Sequence, residues 1–311
     1  MEYAVKRVGY AIFVLFLASL VTYLALRATP GNVASSVLNP ATTPPEVIAE
    51  LRAELGLDDS MWQQYTDYAS GLLTGDLGFS LVNRTPVSTL IGDSATYTVV
   101  LAAAAFALAF GLGVPIGVLA ALNQDGWFDR LVRLVASCMQ AIPNFVLALL
   151  AVLVFGVRLG WLPVSGAATA SSLILPALVL AAEPGALTTR VTRTAVLEQI
   201  AADYTRTLRA RGVPRRRINW IHILRNSLSP IISLGAIQIR TLLGYTLIVE
   251  VIFRWPGLGT QLVQAVLNRD YPVAQTLALL LAAVVIVSST LSDLMYRWAD
   301  PRVRLGGSEP S

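Results

Sequence analysis

Long apolar stretches alternate with shorter polar ones along this chain. Six of the apolar stretches reach the roughly 20 residues that a helix needs to cross a bilayer. They are Val8–Leu26, Ala95–Leu122, Leu134–Phe155, Leu173–Thr189, Leu228–Phe253 and Val273–Trp298. In hydrocarbon every backbone N–H and C=O must be satisfied within the segment, so each stretch is predicted to be a helix. The predicted fold class is an all-α polytopic membrane protein with six transmembrane helices. The first stretch follows Lys6-Arg7, as the apolar part of a secretory signal would. It has the length of a full span, however, and Leu26-Arg27-Ala28 is a poor cleavage site, so it is read as an uncleaved first helix. The second stretch carries Gly111, Gly113, Pro115 and Gly117. Small residues at this spacing let helices approach closely. The alternative is a kink at Pro115 that lines a path.

The polar segment between the first two stretches is too long for a simple connector. Pro44-Pro45-Glu46 suits a helix start, and Val47, Ile48, Leu51 and Leu55 then recur at helical spacing before Gly56. A second short helix is expected over Met61–Leu73, ending near Gly75. Residues 27–94 are therefore read as a small folded lobe, 1–26 as the N-terminus and first span, 95–300 as the core, and 301–311 as a tail.

Composition agrees with a membrane protein. Apolar residues make up 55% and charged residues 14%, against about 45–50% and about 25% in soluble domains. The charges are unevenly placed. Asp203 to Arg225 contains seven arginines, whereas Arg27 to Ser94 contains three arginines and eight acids. Cytoplasmic loops collect Lys and Arg. Lys6-Arg7, Arg130 with Arg133, the 190–226 segment and the tail with Arg297, Arg302 and Arg304 are thus predicted to be cytoplasmic. Segments 27–94, 156–172 and 254–272 are predicted to be external, with both termini inside. The net charge of +4 reads as topology, and no aromatic-basic interleaving suggests a nucleic-acid site.

Catalytic chemistry has little to work with. There is one cysteine, Cys138, expected as a small buried core residue, and one histidine, His222, inside the arginine-rich loop. A disulfide framework is excluded and no metal cluster is suggested. No Gly-x-x-x-x-Gly-Lys-Ser/Thr sequence is present, so the chain lacks the loop that would hold ATP. Ionisable residues inside spans are functional candidates, because burial in lipid is costly. Glu183, Arg240, Glu250 and Asp293 qualify. Glu183 precedes Pro184-Gly185, a possible helix break. Arg240 either faces a wet path and attracts a carboxylate or pairs with an acid on a neighbouring helix. Glu250 and Asp293, near span ends, either snorkel or form packing hydrogen bonds.

The most informative segment is Asp203 to Pro230, which must lie in water between apolar spans. A short helix from about Ala201 to Arg211 would end at Gly212, a residue that suits the left-handed helix stop, with Pro214 starting the next turn. Arg206, Arg209 and Arg211 fall near its C-terminus, where the dipole favours cations. Nine residues separate Gly212 from the following His222-Ile223-Leu224. Other punctuated stretches run through the chain in order. They are Thr29-Pro30-Gly31, Leu51 to Leu57, Gly75-Asp76-Leu77-Gly78-Phe79-Ser80, Trp161-Leu162-Pro163-Val164-Ser165-Gly166, Arg254-Trp255-Pro256-Gly257-Leu258-Gly259, Arg269-Asp270-Tyr271-Pro272 and Asp300-Pro301-Arg302.

This ordered set covers nearly the whole chain and resembles the first permease subunit of dipeptide/oligopeptide ABC importers, including related nickel importers. Arg206-Thr207-Leu208 stands where the general importer motif has Glu-Ala-Ala, a departure that the peptide-importer branch shares. The resemblance implies a type I ABC importer permease fold. It implies that the 201–226 loop docks on an ATPase through Asp203, Tyr204, Arg206, Thr207, Arg209, Ala210, Arg211, Gly212, Pro214, His222 and Arg225. It implies that the turn Trp255-Pro256-Gly257-Leu258-Gly259, followed by an amphipathic stretch Thr260–Leu267, faces an external substrate-binding protein. A purely structural turn is the alternative there. Implied partners are a second homologous permease, two ATP-binding subunits, the binding protein and membrane lipid. ATP and magnesium would sit in those partners, with no cofactor in this chain, which would not itself be an enzyme. The expected function is import of dipeptides or short oligopeptides by alternating access across the cytoplasmic membrane. Alternatives are the same architecture carrying nickel chelate or haem, or a proton-coupled secondary transporter using the intramembrane charges.

Overall fold

The computed structural model describes residues 2–28, 43–54, 58–80 and 82–299. Its helices are α1 (Glu2–Ala28), α2 (Pro45–Glu54), α3 (Met61–Thr74), α4 (Val87–Leu122), α5 (Trp127–Ala141), α6 (Asn144–Ala151), α7 (Ile174–Ala201), α8 (Asp203–Ala210), α9 (Arg215–Phe253), α10 (Leu258–Leu267) and α11 (Tyr271–Ala299). A two-stranded antiparallel hairpin, β1 (Phe79–Ser80) with β2 (Thr85–Pro86), precedes α4.

Five helical stretches are long and apolar enough to cross a membrane: Arg7–Ala28, Val87–Leu122, Ala170–Ala201, Arg215–Phe253 and Tyr271–Thr290. The expected third span, Leu134–Phe155, is not one helix. It is a pair, Trp127–Ala141 and Asn144–Arg158, bent by 103°. The bend falls at Ile142-Pro143. Ile142 is extended (φ −89°, ψ 121°), as the residue before a proline prefers. The amphipathic α5 also buries Asp129 and Ala136 on one face and leaves the other open. Cys138 lies on that open side and is exposed, not buried as expected. Counting the bent pair as one span gives six. The fourth span is also corrected, because α7 runs unbroken through Glu183-Pro184-Gly185.

The chain divides into two compact units, residues 1–98 with 256–286, and 99–255 with 287–311. In the first, α3 is capped by Ser60, whose hydroxyl accepts from the Gln63 N–H, and it stops at Gly75 with φ 85°. That left-handed stop favours glycine. Residues of α3 clasp the end of α1. The Tyr23 hydroxyl donates to the Met61 carbonyl at 2.7 Å, Arg27 Nη2 donates to Gln64 Oε1 at 2.9 Å, and the Arg27 guanidinium lies 3.6 Å from the centre of the Tyr23 ring. Burial pushes the Tyr68 phenol up to about 12, so it stays neutral at physiological pH. The apolar core of this unit gathers Val87, Leu258, Ala265, Val273, Ala274 and Leu277.

In the second unit α4 and α7 pack at close range. A Cβ on Gly113 would meet the Gly185 carbonyl oxygen at 2.9 Å, and one on Gly117 would meet that of Thr189 at 2.6 Å. The small-residue face of the second span is thus a helix-packing face at these two positions, while Gly111 meets nothing. Leu101, Ala105, Ala109, Leu180, Leu242, Val249 and Phe253 form the core around them.

Candidate functional site

The arginine-rich loop folds as the chain demands locally. Ala202 is extended and ends α7, and α8 runs Asp203–Ala210. Thr205 is fully buried, and its hydroxyl donates to the Gln199 carbonyl at 2.7 Å. The Tyr204 hydroxyl reaches Gln199 Oε1 at 3.0 Å. These two bonds tie α8 back onto the last turn of α7. At the far end Gly212 has φ 74°. The Gly212 N–H bonds the Arg209 carbonyl at 3.0 Å and the Val213 N–H bonds that of Leu208 at 3.1 Å. This paired 6→1 and 5→2 pattern is a Schellman stop. Leu208 and Val213 pack on a core of Val118, Ala121, Val196, Ile218 and Ile223, which anchors the loop to α4, α7 and α9.

The outer face is cationic. Asp203, Arg206, Thr207, Arg209, Ala210, Arg211, Gly212, Pro214, Arg215, Arg216, Arg217 and Arg225 are all exposed. Arg206 lies 3.8 Å from Asp203, a fully solvated pair that adds little stability. Pro214 caps the turn Arg215–Arg217, which passes into a π-helical stretch, Ile218–Ile223, holding the half-buried His222. Pro214, Arg216, Arg217, Trp220 and Ile221 line a cleft at this corner.

One ion pair that no sequence motif marks joins α5 to α7. Arg193 on α7 donates bidentately to Asp129 on α5, from Nε to Oδ1 at 2.5 Å and from Nη2 to Oδ2 at 2.8 Å. Asp129 is fully buried and also accepts from the Asp125 N–H at 3.1 Å. Arg133 stands 3.5 Å away. The planar guanidinium fork matches a carboxylate in this geometry.

The intramembrane candidates separate. Glu183 is half-buried and accepts from Asn144 Nδ2 at 3.4 Å. Arg240 is exposed and donates to Ser289 Oγ at 3.4 Å, with no acid beside it among the described residues. Glu250 does not snorkel, because it is fully buried. It sits one turn before the chain reverses at Arg254, which has φ 47°, and its carbonyl accepts from the Trp255 N–H at 2.8 Å. The side chain of Asp293 lies outside the described residues, as do Thr29-Pro30-Gly31, Leu55-Gly56-Leu57 and Asp300-Pro301-Arg302. In the turn after α9, Trp255, Gly257, Leu258 and Gly259 are buried and Pro256 is half-buried. The Leu258 N–H donates to Thr98 Oγ1 at 2.9 Å, and the Phe253 carbonyl accepts from the Gly166 N–H at 2.9 Å. No group of three or more His, Cys, Asp or Glu suited to a metal occurs among the described residues.

Residues 113–305 match the family described as binding-protein-dependent transport system inner membrane component, and residues 1–102 match its N-terminal companion. The chain belongs to this family. It is 36% identical to the di/tripeptide transport system permease protein DppB of Pseudomonas aeruginosa over 98% of this chain and 99% of that protein. It is also 36% identical to the glutathione transport system permease protein GsiC of Escherichia coli K12, with the same coverage. A solved structure of the MetNI methionine ABC transporter, in inward-facing conformations, shares the fold with a TM-score of 0.57 at 20% identity. It covers 68% of this chain and 97% of that one. The protein is thus a multi-pass inner-membrane permease subunit of an ABC importer and not an enzyme by itself. Membership implies a complex with ATPase and binding-protein partners.

Proposed function

We propose that this permease imports dipeptides and other short peptides by alternating access, with α8 and the Gly212 stop as the joint to an ATPase partner. The observation that carries the reading is the construction of that joint. A short helix is fixed on its inner side by Thr205, Leu208 and Val213 and presents Arg206, Arg209 and Arg211 outward. A rigid cationic knob fits an acidic groove and transmits the groove's movement into α7 and α9. Such transmission is what a differential interaction with two states requires. The complete assembly is one copy of this chain, a second homologous permease, two ATP-binding subunits and an external binding protein. The arginine placement supports cytoplasmic termini and an external 27–94 lobe. Peptide cargo is favoured because DppB is a di/tripeptide permease and GsiC a glutathione permease.

The test is ATPase activity of the co-purified assembly, wild type against Arg209→Glu with Gly212→Asp. Detachment of the ATPases, or hydrolysis no longer stimulated by the binding protein, is the expected result. A chain that purifies alone and moves peptide on a proton gradient would overturn the reading.

A further inference from the structure

One face of α7 stays polar and open inside a helix that crosses the membrane. Residues 183, 187, 190, 194 and 198 recur at helical spacing and are Glu183, Leu187, Arg190, Thr194 and Glu198. Glu183 is half-buried and the other four are exposed. Three charges lie on this face, and Glu183, the one within the span, is costly against lipid and belongs at a wet path or a protein partner. The α5–α6 break stands opposite this face. Irregular backbone at membrane depth is tolerated where it is covered by protein or lines a cavity.

The hydrogen bonding across that break is polarised. At the upper end, Asn144 donates its amide to Glu183 Oε2, and its Oδ1 is buried with no partner. At the lower end, Arg190 Nη1 donates to Gln140 Oε1 at 2.8 Å, and Gln140 Nε2 is buried with no partner. The Glu183 end therefore offers a carboxylate and the Arg190 end a guanidinium; the unpartnered amide atoms behind them match in sign but are buried. An ammonium suits the first set and a carboxylate the second. Seven residues of helix separate them, about 10 Å at 1.5 Å per residue. An extended chain spans about 3.3–3.6 Å per residue, so three residues bridge the gap.

We infer that Glu183 with Asn144 and Arg190 with Gln140 form a transient subsite that holds the two termini of a zwitterionic short peptide during passage. The inference rests on the peptide-import reading above. It assigns the N-terminal ammonium to Glu183 and the C-terminal carboxylate to Arg190. A longer peptide cannot place both termini here and crosses without using both ends.

The experiment uses the full assembly in proteoliposomes with its ATPases and binding protein. Uptake of trialanine and pentaalanine is compared for wild type, Glu183→Gln, Arg190→Gln and the charge-reversed pair Glu183→Arg/Arg190→Glu. Each neutralised variant is expected to slow trialanine about tenfold, the effect of losing one charged hydrogen bond, and pentaalanine by much less. The reversed pair is expected to recover trialanine uptake by binding it in the opposite direction. Equal loss of both peptides without recovery in the reversed pair, or no loss of either, overturns the subsite. Wild-type assembly that takes up neither peptide while its ATPase responds to the binding protein overturns the peptide reading itself.

Discussion

Ser80 and Asp270, 190 residues apart in sequence, are hydrogen-bonded in the interior of the first unit, the Ser80 hydroxyl donating to Asp270 Oδ2. Both are essentially fully buried. The contact joins Gly75–Ser80 to Arg269–Pro272, two of the punctuated stretches in the sequence. The Val87 N–H donates to the Gly78 carbonyl at 3.1 Å, and the Thr276 hydroxyl donates to that of Leu77 at 3.3 Å. Asp270 also stands at the N-cap position of α11, where a short acceptor serves the first N–H groups. These motifs are turn chemistry that closes a fold over a long sequence gap.

Burial pushes the Asp270 carboxyl above its ordinary value of 3.8, against smaller opposing hydrogen bonds from Ser80 and the Val273 backbone. The folded protein therefore holds this proton more tightly than the unfolded chain. Its contribution to stability is complete below the ordinary value and is lost as pH rises through the raised folded value. Asp270→Asn keeps an acceptor for Ser80 and removes the titration. The variant is expected to lose less stability than wild type as pH rises above 3.8, and so to melt higher once the wild-type carboxyl is ionised. Thermal denaturation in detergent across that rise in pH checks it. A wild-type melting point that climbs over the same interval contradicts the assignment.

Most of the architecture was legible because lipid leaves so few choices. A predominantly apolar run of about 20 residues satisfies its backbone in lipid as a helix, and five of the six expected spans appear as single helices. The Gly212 stop and the α3 boundary at Gly75 were legible because glycine marks a left-handed position. The break after Ala141 was carried by Pro143, but continuous apolar flanks masked it. The Asp129–Arg193 pair was not legible. The two residues are 64 apart in sequence, and both fall in segments that also read as loop charges setting topology. Glu250 looked like a residue able to reach solvent near a span end. Its side chain is instead fully buried, one turn before the reversal at Arg254.

Gly117 lies against the backbone of α7, so added volume there has nowhere to go. A Cβ would stand 2.6 Å from the Thr189 carbonyl oxygen and 2.8 Å from Thr192 Cβ. Gly117→Val is expected to cost about 1–3 kcal/mol, the usual penalty of overpacking. Gly111→Val, where nothing stands within 4 Å, is expected to be near neutral. Melting of the two variants side by side tests the α4–α7 contact. Equal effects would mean that the helices do not approach at Gly117.

Gly212 has open space around it, so its requirement is conformational, not steric. At φ 74° a side chain costs about 1–2 kcal/mol. Gly212→Val is expected to fray the end of α8 while the spans remain folded. Asparagine tolerates the left-handed region, so Gly212→Asn should retain more function than Gly212→Val. The readout is ATP hydrolysed per peptide imported, which should rise in the Val variant. An unchanged ratio in both would remove α8 from the coupling path.

The Asp129–Arg193 pair makes the most severe stability prediction. Removing one member of a buried pair leaves the other charge uncompensated, at about 3–5 kcal/mol. Asp129→Leu and Arg193→Leu are each expected to be that costly. The double variant should cost less than the sum, because neither charge is then stranded. Arg193→Lys keeps the charge but loses the two-pronged geometry, so it should fall between wild type and Arg193→Leu. A double-mutant cycle by thermal denaturation isolates the coupling between the two residues. Additive losses would show that the guanidinium and carboxylate act independently. They would also separate α5 from the end of α7, the helix that leads into α8. A large coupling would make α5, α7 and α8 one mechanical body, so that movement imposed on the arginine face is carried to the break at Pro143.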